Sequence, residues 1–396
     1  MKYLNNSPIK ILFSISILLS CVSCSNLKNS ASVSNANNQP SDNILVSQSN
    51  AEFKTTTVIE GLERPWGMAW LPDGSILITE RPGRLRIVRN GKLDPQPISG
   101  VREVYAVNHG GLLDVSLHPD FAKNSLVYFT YSDGDNQANH TKVARATFDG
   151  TTLQNWEDIF EVYPKKPGGQ HFGSRIVWLP DKTMLVGLGD GGNPPVQLNG
   201  DLIRKQAQNL DSHLGSIVRL NDDGSIPQDN PFVNDADANP AIWSYGHRNI
   251  QGMTIDPNTN RVWSTEHGSK GGDELNLIQA GENYGWPEVS YSDEYTGGRV
   301  AEVSSRPDVP EPKVVWTPSI APSGLAFYEG DLFAGGLVSR DVRRLDLDGE
   351  GNVIAQESIP IGQRVRDVRQ GSDGFLYVLT DEQNGQLIRI EPENSF

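Results

Sequence analysis

The sequence predicts an all-β protein, a six-bladed β-propeller, from three observations. From residue 53 onward, one pattern recurs six times: apolar alternation, a Pro-Asp-Gly-like turn, and a second alternating run. The 39 glycines and 25 prolines divide the chain into short runs, and long helical periodicities are hard to find. At 396 residues the chain is long enough for one large repetitive domain. A single blade cannot bury both faces of its sheet, so such units pack side by side around a channel. A β-sandwich would use fewer strands and leave the sixfold recurrence without a cause.

Taken in order, residues 1–24 read as an export signal. Lys2 and Lys10 supply the positive start, Ile11 to Leu19 the apolar stretch, and small residues surround Cys21 and Cys24. That stretch is shorter than the ~20 apolar residues of a spanning helix. Leu-Leu-Ser-Cys and Cys-Val-Ser-Cys each resemble a bacterial lipoprotein cleavage box. A lipid anchor on Cys21 or Cys24, and a periplasmic or cell-envelope location, are therefore expected. Both cysteines lie here, so the processed chain is expected to hold no disulfide. Residues 25–50, rich in Ser, Asn and Gln, are expected to form a flexible tether, and 51–396 the propeller.

Copy one runs Trp66 to Trp70, turns at Pro72-Asp73-Gly74 and returns through Ile76 to Glu80. Copy two is Gly111 to Val115, a turn at His118-Pro119-Asp120, then Val127 to Thr130. Copy three leads through Ile176, Trp178 and Leu179 to Pro180-Asp181-Lys182 and returns by Met184, Val186 and Leu188. Copies four to six turn at Asp256-Pro257-Asn258, Glu329-Gly330 and Asp373-Gly374. The strand Phe53–Ile59 is expected to pair with Leu387–Ile390 and close the ring. Extra length follows copies three and four, at 192–245 and 267–320, and is expected to form loops over the site-bearing face.

The hairpin starts carry the chemistry: His109, His171, Arg248 with Asn249, Ser319, and Arg364 with Arg366. One base and several cations around an axis are not what a packed core selects. Pairing across the third turn brings Asp190 back beside His171, and a histidine oriented by a carboxylate is the usual equipment of a general base. The formal charge of −15, with no basic run among aromatics, excludes nucleic acid as a partner. Two other stretches are set aside. Gly187 to Gly192 lacks the following helix that a phosphate loop needs, Pro194-Pro195 preventing one. Asn221 to Asn239 lacks the closing glutamate of a calcium loop.

Several motifs together resemble the soluble pyrroloquinoline quinone (PQQ)-dependent aldose dehydrogenases, the glucose/sorbosone dehydrogenase family. They are GGQHFGSR (168–175), GHRNIQG (246–252), STEHGSKGGDELNLI (264–278), GENYGWP (281–287) and RVRDV (364–368), and the likeness spans about 55–392. It implies hydride transfer from the anomeric carbon of an aldose to PQQ, with calcium bound beside the quinone and electrons passed to an external acceptor. His171 falls on the base and Asp190 on its orienting carboxylate, and Arg248 joins this catalytic set. The cofactor carries three carboxylates, which arginine forks hold bidentately. Arg248, Asn249, Ser319, Arg364 and Arg366 are the implied cofactor contacts. The family's cofactor-binding lysine aligns with Val338, and Arg340, two residues on, is expected to replace it from the same strand face. His109 and Gln170 are placed near the substrate. Calcium is implied at the backbone of Gly268 and Ser269, with a second, structural site at Asp273, Glu274 and Tyr284. A monomer or a homodimer fits equally. Two rival readings remain open on the same fold: a metal-dependent sugar lactone hydrolase and a non-catalytic binding propeller.

Overall fold

The computed structural model describes residues 46–48 and 53–392. The expected signal at 1–24, and the tether apart from 46–48, lie outside the described residues. Val46–Gln48 is a strand running parallel to Val353–Pro360.

The six alternating hairpins each gain two further strands. Blade one is Pro65–Trp70, Ile76–Glu80, Arg84–Arg89 and Lys92–Leu93. Blade two is Leu112–Leu117, Leu126–Gly134, Asn139–Phe148 and Leu153–Glu161. Blade three is Ile176–Trp178, Met184–Gly187, Ser216–Leu220 and Ile242–Tyr245. Blade four is Ile250–Ile255, Val262–Glu266, Asp273–Ile278 and Val314–Trp316. Blade five is Pro322–Tyr328, Asp331–Gly336, Asp341–Leu347 and Val353–Pro360. Blade six takes Val365–Gln370, Leu376–Thr380 and Gly385–Pro392 from one end of the chain and Phe53–Leu62 from the other. Thr55 faces Ile390 and Ile59 faces Leu387, so the ring closes as expected, with a closing strand three residues longer.

The core is distributed between blades rather than at one centre. Leu77, Leu85 and Ile87 of blade one pack on Val115, Val127 and Phe129 of blade two. Equivalent layers follow at Val143 with Val186, Leu185 with Ile250, Leu275 with Leu332, and Val342 with Val378. Leu379 of blade six meets Ile78 of blade one. Each blade thus buries its faces only against its neighbours.

A bulge recurs where the first strand of each hairpin lines the channel. The ladder slips at Gly67, Asp114 and Gly324 and just before Gly252 and Asp367, and Arg175 holds the same place in blade three. A bulge leaves an amide unpaired in the ladder, and a second-strand hydroxyl accepts it: Gly67 N–H donates to Thr79 at 2.9 Å and Asp114 N–H to Thr130 at 3.0 Å. These hydroxyls donate onward to the next blade. Thr130 reaches the Ser174 carbonyl at 2.7 Å and Thr265 the Ser323 carbonyl at 3.1 Å. The threonines near the ends of the second runs are therefore clasps between blades.

The six bulge positions are three glycines and three charged residues. A Cβ at Gly67 would lie 2.8 Å from the Asp114 carboxylate, and one at Gly324 2.4 Å from that of Asp367, so only glycine leaves room for the charges. Arg175 sits 3.0 Å from both carboxylates, and Arg369 contacts Asp114 and lies 2.9 Å from Asp367. This buried ring of four charges divides the channel into an upper cavity and a lower one of about 290 Å³.

The insertions differ from expectation in part. Residues 221–241 join the third and fourth strands of blade three and lie at the opposite, turn-bearing face. There the Asp222 carbonyl accepts the Tyr128 hydroxyl at 2.7 Å, and Arg219, at the head of the loop, pairs with Asp181 of the turn at 2.6 Å. Connections between third and fourth strands start on that face. Residues 279–313 start there too, but climb the edge of blade three through Tyr284 N–H to the Tyr245 carbonyl and Trp286 N–H to Gly246. They bring Trp286 and Tyr295 to the upper cavity's surroundings.

Candidate functional site

The open ends of the hairpins surround an upper cavity of about 570 Å³, a size suited to a small-molecule ligand. His171, 3% exposed, follows Gly168-Gly169-Gln170 and has a left-handed backbone (φ 45°) that turns its ring toward the cavity wall. Its Nδ1 lies 2.6 Å from Asp190 Oδ1. Asp190 also accepts from Gly192 N–H at 3.1 Å and from the Trp286 indole N–H at 2.8 Å. An ionised carboxylate only accepts, so Nδ1 carries the proton and Nε2 is left as the basic atom. Burial lowers the proton affinity of His171; the Asp190 charge opposes this, and Arg248 and Lys166 push it further down.

His109 stacks on His171 with centroids 5.8 Å apart, and its Nδ1 accepts the His171 backbone N–H at 3.4 Å. Burial first, then the charge of His171, lowers its pKa to about 3. Lys166, 1% exposed, holds its ammonium 4.0 Å from the Phe172 ring centre and donates to the Gly168 carbonyl at 3.2 Å. Its stem packs beneath Gly191, and burial pulls its pKa down to about 7. Gln170 lines the cavity while accepting the Asn193 N–H at 3.1 Å.

The cavity is cationic. Arg64, Arg81, Arg248, Arg364 and Arg366 line it, against the carboxylates of Asp381 and Glu382. That leaves an excess of three positive charges among the lining groups. Arg248 donates to the His267 carbonyl at 3.0 Å, Arg364 to that of Leu337 at 3.2 Å, and Arg366 to Gln251 at 3.0 Å and Asp381 at 2.9 Å. Burial alone would raise the pKa of Asp381, but Arg366, then Arg364 and Arg81, hold it well below the usual carboxylate range. The Nε atoms of Arg81, Arg248 and Arg366 are buried with no hydrogen-bond partner. Five guanidinium groups against two carboxylates on one cavity wall suit an oxygen-rich anion. Asn249 joins the wall, its side-chain oxygen accepting from Gly173 N–H at 3.3 Å.

Two expected cofactor contacts lie elsewhere. Ser319 does not line the cavity; its hydroxyl donates to the Asp273 carboxylate. Arg340 is exposed at φ 57°, in the turn beyond Asp331–Gly336. The strand ends before Val338 and Arg340, so a shared strand face does not exist there.

The residues expected around calcium form a neighbouring cluster. A Cβ at Gly268 would lie 2.2 Å from the Gly271 carbonyl, so glycine alone fits. The Gly268 and Ser269 amides are tied to Asp273 and Ser292 at 2.9 and 3.0 Å. Asp273 also accepts the Ala321 amide at 2.8 Å, and the Tyr284 hydroxyl donates to the Leu277 carbonyl at 2.7 Å. Both side chains are therefore engaged by protein. Glu274 accepts from the Asn276 side-chain amide at 3.1 Å and lines a void of about 10 Å³ with Glu266 and Gly268. Burial, then the charge of Glu266, raises its pKa to about 8.

Sequence reading missed Trp286, Arg64, Arg81, Asn193, His267 and Asp381. His267 lines the cavity and its Nε2 lies 2.8 Å from the Pro322 carbonyl, so that nitrogen carries the proton. Arg81, His267 and Asp381 each follow the end of a second strand, on the same face as the hairpin starts. The signal that could have found them was the other open end of each hairpin.

Residues 62–389 match the family described as Glucose / Sorbosone dehydrogenase. The chain is 61% identical over 371 residues to an uncharacterised protein of Synechocystis sp., covering 89% of this chain and 90% of that one. It is 40% identical over 352 residues to the aldose sugar dehydrogenase YliI of Escherichia coli, covering 84% and 91%. Superposed on the PQQ-bound form of an aldose sugar dehydrogenase from Streptomyces coelicolor, it gives a TM-score of 0.70 at 28% identity, covering 86% and 99%.

Proposed function

The chain belongs to the glucose/sorbosone dehydrogenase family, and on that premise we propose that it oxidises an aldose at its anomeric carbon to the lactone, using PQQ and calcium. The observation that carries this reading is the His171–Asp190 pair, 2.6 Å apart, at the edge of a cavity with three uncompensated positive charges. A base beside an anion seat is what PQQ and a neutral sugar require. When bound, PQQ would supply a hydride acceptor for the anomeric carbon and calcium a Lewis acid.

The chain's own residues supply binding and proton transfer. Arg248, Arg364 and Arg366 would hold carboxylates, with Asn249 as a neutral partner. His171 Nε2 would take the anomeric hydroxyl proton while Nδ1–H stays on Asp190, whose charge stabilises the imidazolium that forms. Trp286 and Gly192 keep that carboxylate from turning. His109 and Gln170 would meet the sugar. Gly268 and Ser269 would hold calcium through the backbone, and a cation there would also relieve the repulsion between Glu266 and Glu274. Export to the cell envelope and hand-over of electrons to an external acceptor complete the proposal.

The test is to add PQQ and calcium to cofactor-free protein and follow reduction of an artificial dye with glucose and other aldoses. Dye reduction that requires quinone, calcium and sugar together is the expected result. Hydrolysis of a sugar lactone without quinone would replace this reading by a hydrolase, and no turnover would leave a binding propeller.

The pH profile should carry the mark of burial. His171 acts as a base only when neutral, and its folded pKa lies below that of free imidazole. The acid limb of kcat/KM is therefore expected to fall below about pH 6.5. An acid limb above that value would show that another group controls the proton.

A further inference from the structure

We propose that Arg81 is a cofactor-carboxylate contact in this chain, taking over with Arg366 the role that the sequence reading gave to Arg340. The inference rests on the PQQ reading above and concerns the same cavity.

Arg81 has a built position. Its backbone N–H donates to the Arg64 carbonyl at 3.1 Å, and its own carbonyl accepts the Leu112 N–H at 3.1 Å. The second contact spans blades one and two, and it needs Gly111: a Cβ there would lie 2.1 Å from the Arg81 oxygen, at a φ of 141°. The guanidinium donates to the Asn108 carbonyl, next to His109, which fixes its reach. Its Nε remains buried without a partner, as does that of Arg366.

Arg81 and Arg366 line the same cavity, and burial first, then the charge of Arg366, lowers the pKa of Arg81. Asp381 offsets both only in part, because it already serves Arg364 and Arg366. Two partly desolvated guanidinium groups on one cavity wall, among five arginines facing two carboxylates, suit a carboxylate of the cofactor. Arg340 offers no such contact. Its carbonyl accepts the Ile361 and Gly362 amides at 3.1 and 3.0 Å, and its side chain is exposed. Val338, where a lysine was looked for, is 59% exposed.

The experiment measures PQQ binding to the cofactor-free full chain, with calcium, by quenching of tryptophan fluorescence. Arg81→Gln is expected to raise Kd roughly 10- to 100-fold, the effect of losing a charge-assisted hydrogen bond. Arg81→Lys should recover part of that loss, and Arg340→Ala should leave Kd within about 2-fold. Circular dichroism and the urea midpoint of each variant separate lost binding from lost folding. Wild-type affinity in Arg81→Gln, or a larger loss in Arg340→Ala, overturns the assignment while leaving the cofactor reading intact. Failure of the unaltered chain to bind PQQ overturns both.

Discussion

Replacing His171 with alanine is expected to lower kcat for aldose oxidation by about 10²–10⁴-fold, the usual contribution of a positioned general base. PQQ affinity should stay within a few-fold, because no cofactor-holding guanidinium depends on the imidazole. Arg248 is held by the His267 carbonyl and by Asn193. The neighbouring imidazole cannot take over. His109 has a pKa near 3, so it is a weak base at neutral pH. Lys166, although burial pulls its pKa down to about 7, does not line the cavity, and its nitrogen is engaged by Gly168 and Phe172. Stopped-flow reduction of the bound quinone by sugar, read separately from PQQ titration, checks both halves. Unaltered turnover in the variant would remove His171 from the mechanism.

That pair was legible in the sequence for a definite reason. Ile176 faces Val186 across a turn of known type, and the two runs continue past the end of the ladder far enough to bring Asp190 beside His171. Local pairing is a short extrapolation. The partners that complete the site come from elsewhere and were not legible. Trp286 reaches Asp190 across 96 residues, from a loop that begins on the far face of blade four. Arg81, His267 and Asp381 lie at second-strand ends, whereas the sequence reading followed only first-strand starts. Both ends of an antiparallel hairpin open on one face, so the pattern was complete in principle.

The misplaced residues fail for a related cause. Ser319 and Arg340 were located by counting along a repeat, yet both sit where strand geometry has lapsed. Arg340 lies four residues beyond Gly336, at a positive φ that breaks side-chain alternation. Ser319 precedes the strand Pro322–Tyr328 and is claimed by Asp273 of the preceding blade. Periodicity predicts direction only while the ladder lasts. The insertions obey the same limit: length alone located them, but the face each occupies depends on which two strands it joins.

The channel floor carries the other large expectation. Changing Arg175 to methionine should lower the free energy of unfolding by about 3–5 kcal/mol, as when one partner of a buried ion network is removed. Methionine fills much of the volume, so the loss is one of charge and hydrogen bonding rather than of a cavity. Asp114 and Asp367 would keep Arg369 as their remaining shared counter-ion. The Gln251 carbonyl would lose its Nε donor at 3.2 Å, and the Trp66 ring the cation 4.5 Å away. Gln251 and Trp66 line the upper cavity, so the same change loosens the floor beneath Arg366. An exposed pair makes the comparison. Arg102, whose side chain is 54% exposed, meets Asp158 at 3.2 Å, and Arg102→Ala should cost less than about 1 kcal/mol. Urea unfolding of the cofactor-free protein, with refolding checked, measures both. Equal midpoints for the two variants would mean that the four charges do not hold the channel shut, and Gly67 and Gly324 beside them would need another explanation. A clear separation would tie the recurring bulge, the glycines that accommodate it and the closed floor of the cavity to one physical cause.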